Sequence, residues 1–150
     1  MNSTSEETFF QRWFFPVAAG LILVLAAAVI AVVRPPREPA DAVKGYIDAL
    51  AAGKCRGAYG MVSSFAKEYS TSYRTLKDFR ENVCEPMRGR YEEVSVFKVD
   101  GVEPSGDGVV VVFRLRFKTS WMPRSQDRPM RFNLKRKGRR WLLDGPDLVF

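Results

Sequence analysis

The chain has 150 residues, 46 % of them apolar and 27 % charged, with a net charge of +7. That length holds one ordinary domain and a short appendage, and the apolar share excludes disorder as the default. It contains no His, which removes the commonest general base and transition-metal ligand, and two cysteines alone cannot build a four-ligand zinc site.

The first predicted element is a membrane helix. The 21 residues from Trp13 to Val33 carry no charge. A helix of that length rises roughly 30 Å, the thickness of a bilayer's hydrocarbon core. Pro16 falls in the first turn, where a missing N–H is harmless, and Phe9, Phe10, Trp13, Phe14 and Phe15 stand as an interfacial aromatic belt. A buried core helix would need a polar face, and this segment has none. A cleaved signal would carry a basic n-region, whereas Glu6 and Glu7 precede a single Arg12. No Cys directly follows the apolar run, so a lipid-anchor signal is absent. The expected organisation is an N-terminal tail (1–12), a transmembrane helix (13–33), a Pro-rich linker (34–38) and a domain (39–150).

Two signals disagree on orientation. Arg34, Arg37 and Lys44 outweigh Arg12, which by the positive-inside tendency favours a cytoplasmic domain. Cys55 and Cys84 point the other way if they form a disulfide, as an even count in a small extracytoplasmic domain suggests; two unpaired core cysteines are the alternative.

Within the domain, Pro39 and Asp41 suit a helix start. Val43, Tyr46, Ile47, Leu50 and Ala51 share one helical face, and Gly53 closes the helix. A second stripe through Ala58, Met61, Val62, Phe65 and Ala66, with Tyr59 beside it, predicts one helix from about Cys55 to Glu68. Residues 70–73 read as a loop. Thr75 and Asp78 form a capping-box pattern ahead of Leu76, Phe79 and Val83, in a third helix expected to end near Glu85 and Pro86.

The period then becomes strand-like. Val94 and Val96 alternate, as do Phe97 and Val99, but the apolar phase slips by one residue between the pairs, predicting a bulge or burial on both faces. Residues 105–108 supply a turn. In the next strand Phe113, Leu115 and Phe117 oppose Arg114, Arg116 and Lys118, and Met130, Phe132 and Leu134 alternate with Arg131, Asn133 and Lys135. Lys137 and Gly138 turn into a last strand with Trp141 and Leu143 on one side. The expected class is α+β, with three helices on one face of an antiparallel meander.

Charge is unevenly spread. Residues 114–140 hold eleven Lys and Arg against one Asp, a balance of +10. Arg114, Arg116, Lys118, Arg131 and Lys135 therefore form a candidate basic face. As a solvated sheet surface it requires no function; as an electrostatic one it suits anionic lipid headgroups, an anionic envelope polymer or an acidic protein partner. Nucleic acid is disfavoured because no base-stacking motif accompanies the charge. No phosphate-binding Gly loop, nucleophile elbow or calcium loop occurs, so no residue is assigned to catalysis, a cofactor or a metal.

The stretch AVKGYIDALAAGKCRGAYGMVSSFAKE, followed by TLKDFRENV, a hydrophobic strand pair and a closing RKGRRWLLD, resembles small exported bacterial domains of the nuclear transport factor 2-like (cystatin-like) superfamily. The resemblance spans roughly Pro39 to Asp144 and implies three helices packed on a curved sheet as a cone. Members of this kind are commonly lipoproteins or anchored proteins facing outward, which implies a single-pass protein of the bacterial inner membrane with its domain periplasmic or extracellular. This chain departs from the usual pattern at Lys54 and Cys55 after Gly53, and at Arg139 and Arg140 before Trp141. Helix packing in such a fold would bring Cys55 and Cys84 together as a disulfide. Isomerases of the superfamily use an Asp base, a Tyr and a second acid inside the cone. Here Tyr46, Tyr59, Tyr69 and Tyr73 offer hydroxyls, but no carboxylate falls on the inward strand positions, so a core role for these aromatics outweighs a catalytic one. A modest apolar pocket of Tyr46, Tyr59, Phe79, Phe113 and Trp141 is the remaining candidate. The leading expectation is a membrane-anchored, non-enzymatic, envelope-facing binding or assembly module. The alternatives are a small-ligand-binding or isomerase-like domain and an inner-membrane subunit of a secretion apparatus; oligomeric state is left open.

Overall fold

The computed structural model describes residues 38–122 and 124–145. The expected tail, transmembrane helix and most of the linker lie outside the described residues.

Helix α1, Pro39–Ala51, starts with Pro in its first turn and Asp41 at its positive end, and buries Val43, Tyr46, Ile47 and Leu50, the face that the spacing predicts. It ends on Gly53 with φ +67°. Gly53 N–H donates to Leu50 O (3.0 Å) and Lys54 N–H to Ala49 O (2.8 Å). This Schellman closure needs a left-handed residue, which glycine adopts without strain, and it fixes where the chain leaves the helix.

The single helix expected over residues 55–68 is two: α2, Cys55–Tyr59, and α3, Ser64–Tyr69. The intervening residues join the sheet instead. Val62 forms a parallel bridge with Leu143, Leu143 N–H donates to Met61 O (2.9 Å), and Ser63 N–H donates to Leu143 O (2.8 Å). Ser63 then caps α3, accepting from Ala66 N–H at 3.0 Å, while its hydroxyl donates to the Asp144 carboxylate. The restart turns the expected apolar stripe, so Phe65 is 49 % exposed and stacks on exposed Tyr69 with ring centroids 4.5 Å apart.

Residues 71–73 make a 3₁₀ turn that buries Tyr73. The Thr75–Asp78 capping box forms with both reciprocal bonds. Beyond it, helix α4 (Leu76–Phe79), a π turn (Arg80–Cys84) and helix α5 (Glu85–Arg90) follow without a break. The helical path thus passes Pro86, where an end was expected. Glu85 N–H donates to Arg80 O across the widened turn, and that shift of hydrogen-bond register lets Pro86 sit in a first helical turn, where it needs no donor.

Strands β1 (Glu93–Ser105), β2 (Gly108–Lys118), β3 (Gln126–Lys137) and β4 (Arg140–Leu143) form one antiparallel sheet in sequence order. The phase slip in β1 is irregular pairing: the register shifts between Val96 and Lys98 and again between Val99 and Gly101. Val111, Phe113, Leu115, Phe132, Leu134 and Leu143 face the helices and are buried. Among the described residues no helix is long and apolar enough to cross a membrane.

Candidate functional site

Three regions hold the residues that could carry function: the interior of the cone, the outer face of the sheet, and a groove beside the cysteines.

The interior is occupied by rings. Tyr46, Phe79 and Phe113 are fully buried and Phe132 is 1 % exposed. Tyr46 lies 6.5 Å from Phe79 and 6.1 Å from Phe132, Phe113 lies 5.0 Å from Phe132, and Tyr59 and Tyr73 meet Phe79 at 5.5 and 5.7 Å. These separations are those of packed aromatic pairs, mostly tilted or edge-on. Tyr46, Phe79 and Phe113 therefore form core, and Tyr59 and Trp141 are half-buried flanks of the same cluster. The Tyr46 hydroxyl has no hydrogen-bond partner among the described residues. Burial, with Tyr73 nearby, holds its pKa well above the usual phenol value, so it is a neutral phenol and no base. The buried polar side chains among the described residues are Ser63 and Thr119; the core there holds no carboxylate.

On the outer face each of the five predicted cations meets a carboxylate. Arg114 Nε lies 3.3 Å from Asp100, Lys118 Nζ 3.2 Å from Glu92, and Arg131 Nη2 2.8 Å from Glu103. Arg116 binds Asp127, its direct cross-strand neighbour, through both Nε (2.9 Å) and Nη2 (3.2 Å), and Lys135 pairs with Asp107. The hydrogen bonds hold Asp107 and Asp127 below the usual carboxylate range and raise Lys135 and Arg116. Four of the five carboxylates come from residues 92–107, ahead of the stretch whose charge looks so one-sided in sequence. The five predicted cations are thus each offset by a carboxylate, while Arg128 and Arg140 of the same sheet have no ion pair among the described residues.

The third region was not legible as a site. Cys55 and Cys84 are disulfide-bonded with Cα atoms 5.6 Å apart, joining the start of α2 to the end of the π turn. Beside the half-buried Cys55 is an open groove of about 550 Å³ lined by Gly53, Lys54, Cys55, Arg56, Gly57, Leu76, Lys77 and Arg80. Four of these eight residues are cationic and none is acidic. Arg80 alone of the four has an acidic neighbour, Glu85, at 3.4 Å with both side chains more than half exposed. Lys54, Arg56 and Lys77 have no ion pair among the described residues. The signal that could have located the groove was the pair of cations flanking Cys55: pairing that residue with Cys84 brings Lys54 and Arg56 alongside Lys77 and Arg80.

No family model matches the chain, and no curated protein matches it. Solved structures do. An NTF2 variant bearing five substitutions superposes with a TM-score of 0.50 at 11 % identity, over 67 % of this chain and 87 % of that one. An NTF2-like protein of unknown function from Shewanella oneidensis gives 0.50 at 15 % identity, over 70 % and 90 %. The fold is nuclear transport factor 2-like. A SEC-C motif-containing protein from Rhodopseudomonas palustris is similar as well, with a TM-score of 0.51 at 15 % identity over 79 % and 84 %. At such identities the likeness is one of fold, and the nuclear transport factor 2-like scaffold hosts many functions. What this chain does must be argued from its own surfaces.

Proposed function

We propose that the protein is a non-enzymatic binding or assembly module of the bacterial envelope, held at the inner membrane by a helix over residues 13–33. Its nuclear transport factor 2-like domain faces the oxidising side, as in the exported, anchored branch of these domains. The observation that carries the binding reading is the distribution of space: the cone is filled by Tyr46, Phe79, Phe113 and Phe132, and a cavity opens outside it among four cations, of which Arg80 alone has an ion pair among the described residues. The uncharged length of residues 13–33 supports the tether. The Cys55–Cys84 bond supports the compartment, because disulfides persist in oxidising surroundings and are rare in the cytosol.

Protease accessibility in intact and osmotically shocked cells, read with non-reducing electrophoresis, tests the tether and the compartment together. The expected result is a membrane-fraction protein whose domain is cleaved only after shock or from outside, with its cysteines bonded. Full-length protein recovered in the aqueous fraction without detergent, or free thiols in freshly lysed cells, contradicts the proposal.

A further inference from the structure

We infer that the groove beside the disulfide is a binding site for a multivalent phosphate-bearing anion. The inference rests on the binding-module reading and gives it a ligand class.

Four cationic side chains converge on one open concavity, Lys54 and Arg56 from the start of α2, and Lys77 and Arg80 from α4 and the π turn. Like charges gathered without counter-charges repel one another and weaken the fold unless something offsets them. On the sheet of this same domain the offset is built in, since carboxylates stand opposite Arg114, Arg116, Lys118, Arg131 and Lys135. Among the described residues the sole carboxylate partner in the groove is Glu85, exposed and at 3.4 Å from Arg80 Nε. Asp78, although on α4, hydrogen-bonds within the Thr75 capping box, accepting from the Thr75 hydroxyl at 2.7 Å and its N–H at 3.2 Å, and makes no ion pair with the groove's cations among the described residues.

The geometry is also held in advance. The disulfide ties α2 to the π turn, and the Schellman closure at Gly53 fixes the approach of Lys54. Gly53 is backed by the side chain of Arg88, whose Cδ and Nη1 would lie 3.4 Å from any Cβ placed there. Preorganised cations lose less freedom when a ligand arrives.

The chemistry selects the ligand. A single carboxylate would neutralise only one of these cations. Phosphate offers several oxygens to guanidinium forks and ammonium groups at once, and linked phosphates match several cations along a groove. A volume of about 550 Å³ lies within the range of small-molecule sites. Two sources carry such groups, an anionic lipid headgroup or a soluble phosphorylated compound or polymer.

The test uses the full-length chain in neutral-detergent micelles, with calorimetric titration of inorganic tripolyphosphate in one arm. In the other arm short-chain cardiolipin, whose headgroup links two phosphates, is titrated, with short-chain phosphatidylcholine as the blank. Saturable, salt-weakened binding of tripolyphosphate supports the site with a soluble source. Binding of cardiolipin alone supports it with a lipid source. In either case the combined substitution Lys54→Gln, Arg56→Gln and Lys77→Gln, at three exposed positions, should weaken binding by about tenfold or more. Arg114→Gln with Arg131→Gln should change it by less than about twofold, because those cations are already paired. No saturable binding in either arm, or equal affinity for the parent and a folded, disulfide-bonded triple variant, overturns the inference. That failure would leave the tether and compartment standing, since protease accessibility reads them independently.

Discussion

The sheet's outer face and the groove beside the disulfide are both rich in Lys and Arg, yet they are opposite kinds of surface. On the sheet, strand alternation sets Arg116, Arg131 and Lys135 outward, and other parts of the sheet supply each a carboxylate: Arg116 meets Asp127 on the neighbouring strand, Arg131 reaches over β2 to Glu103, and Lys135 reaches Asp107 in the turn. In the groove Lys54, Arg56 and Lys77 meet no carboxylate among the described residues. Free charge is therefore a property of pairing, and a count along the chain does not reveal it.

The largest expected effect comes from cutting the covalent link that holds the groove. Reduction, or Cys55→Ser with Cys84→Ser, releases a loop whose ends are 29 residues apart, which the chain-entropy model values at about 3 to 4 kcal/mol. Urea denaturation with and without reductant should show that loss. Tripolyphosphate affinity should fall in the same samples under conditions where the domain remains folded, because the four cations are no longer held together. Retained affinity after reduction would make the disulfide a staple of the fold with no part in the groove.

A smaller effect is expected from turning the sheet into the other kind of surface. Glu103→Gln, Asp107→Asn and Asp127→Asn together free Arg131, Lys135 and Arg116 from their carboxylates. The variant should gain weak, strongly salt-dependent affinity for tripolyphosphate, read as added low-affinity sites in calorimetry, while binding at the groove is unchanged. If no such sites appear, pairing is not what silences the sheet.

The smallest effect is on pH dependence. Asp107 and Asp127 are held below their usual pKa near 3.8 by hydrogen bonds to Lys135 and Arg116. Groups depressed on folding add stability that is present above the unfolded value and lost as pH falls through the folded one. Lys135, raised above 10.5, contributes below that value, and its contribution is lost as pH rises through the folded one. Stability should thus have shallow edges below the ordinary carboxylate range and above the ordinary lysine range. Because these side chains are at the surface and screened, the edges should be small and should shrink in salt. Thermal melts across pH should show the parent slightly more stable than the triple carboxylate variant between those edges, with the difference vanishing beyond them.

How much was legible in the sequence follows the range of each interaction. The buried face of α1, the Thr75–Asp78 capping box and the Phe113–Leu115 and Phe132–Leu134 alternations are set by neighbours a few residues away, and each is found where expected. The phase slip in β1 was legible as a defect and appears as two register shifts. The break between α2 and α3 was not, because it depends on Met61, Val62 and Ser63 pairing with Leu143, some eighty residues on. The neutralised sheet was missed for the same reason: Asp100 and Glu103 reach Arg114 and Arg131 only once the strands are paired. The groove needed two distant cysteines to meet before its cations could converge. Of the aromatics grouped from the sequence, Tyr46, Phe79 and Phe113 pack in the core with Phe132, which was not among them, and whether they line space or fill it depends on ring contacts that periodicity cannot show.

The most direct measurement is a map of backbone amide shifts during tripolyphosphate titration of the full-length chain in neutral-detergent micelles. Shifts concentrated at residues 53–57 and 76–80, with strands β2 and β3 quiet, are the predicted result. Shifts centred on the arginines of β2 and β3, with the segments around Cys55 and Arg80 unmoved, would contradict the placement of the phosphate site in the groove.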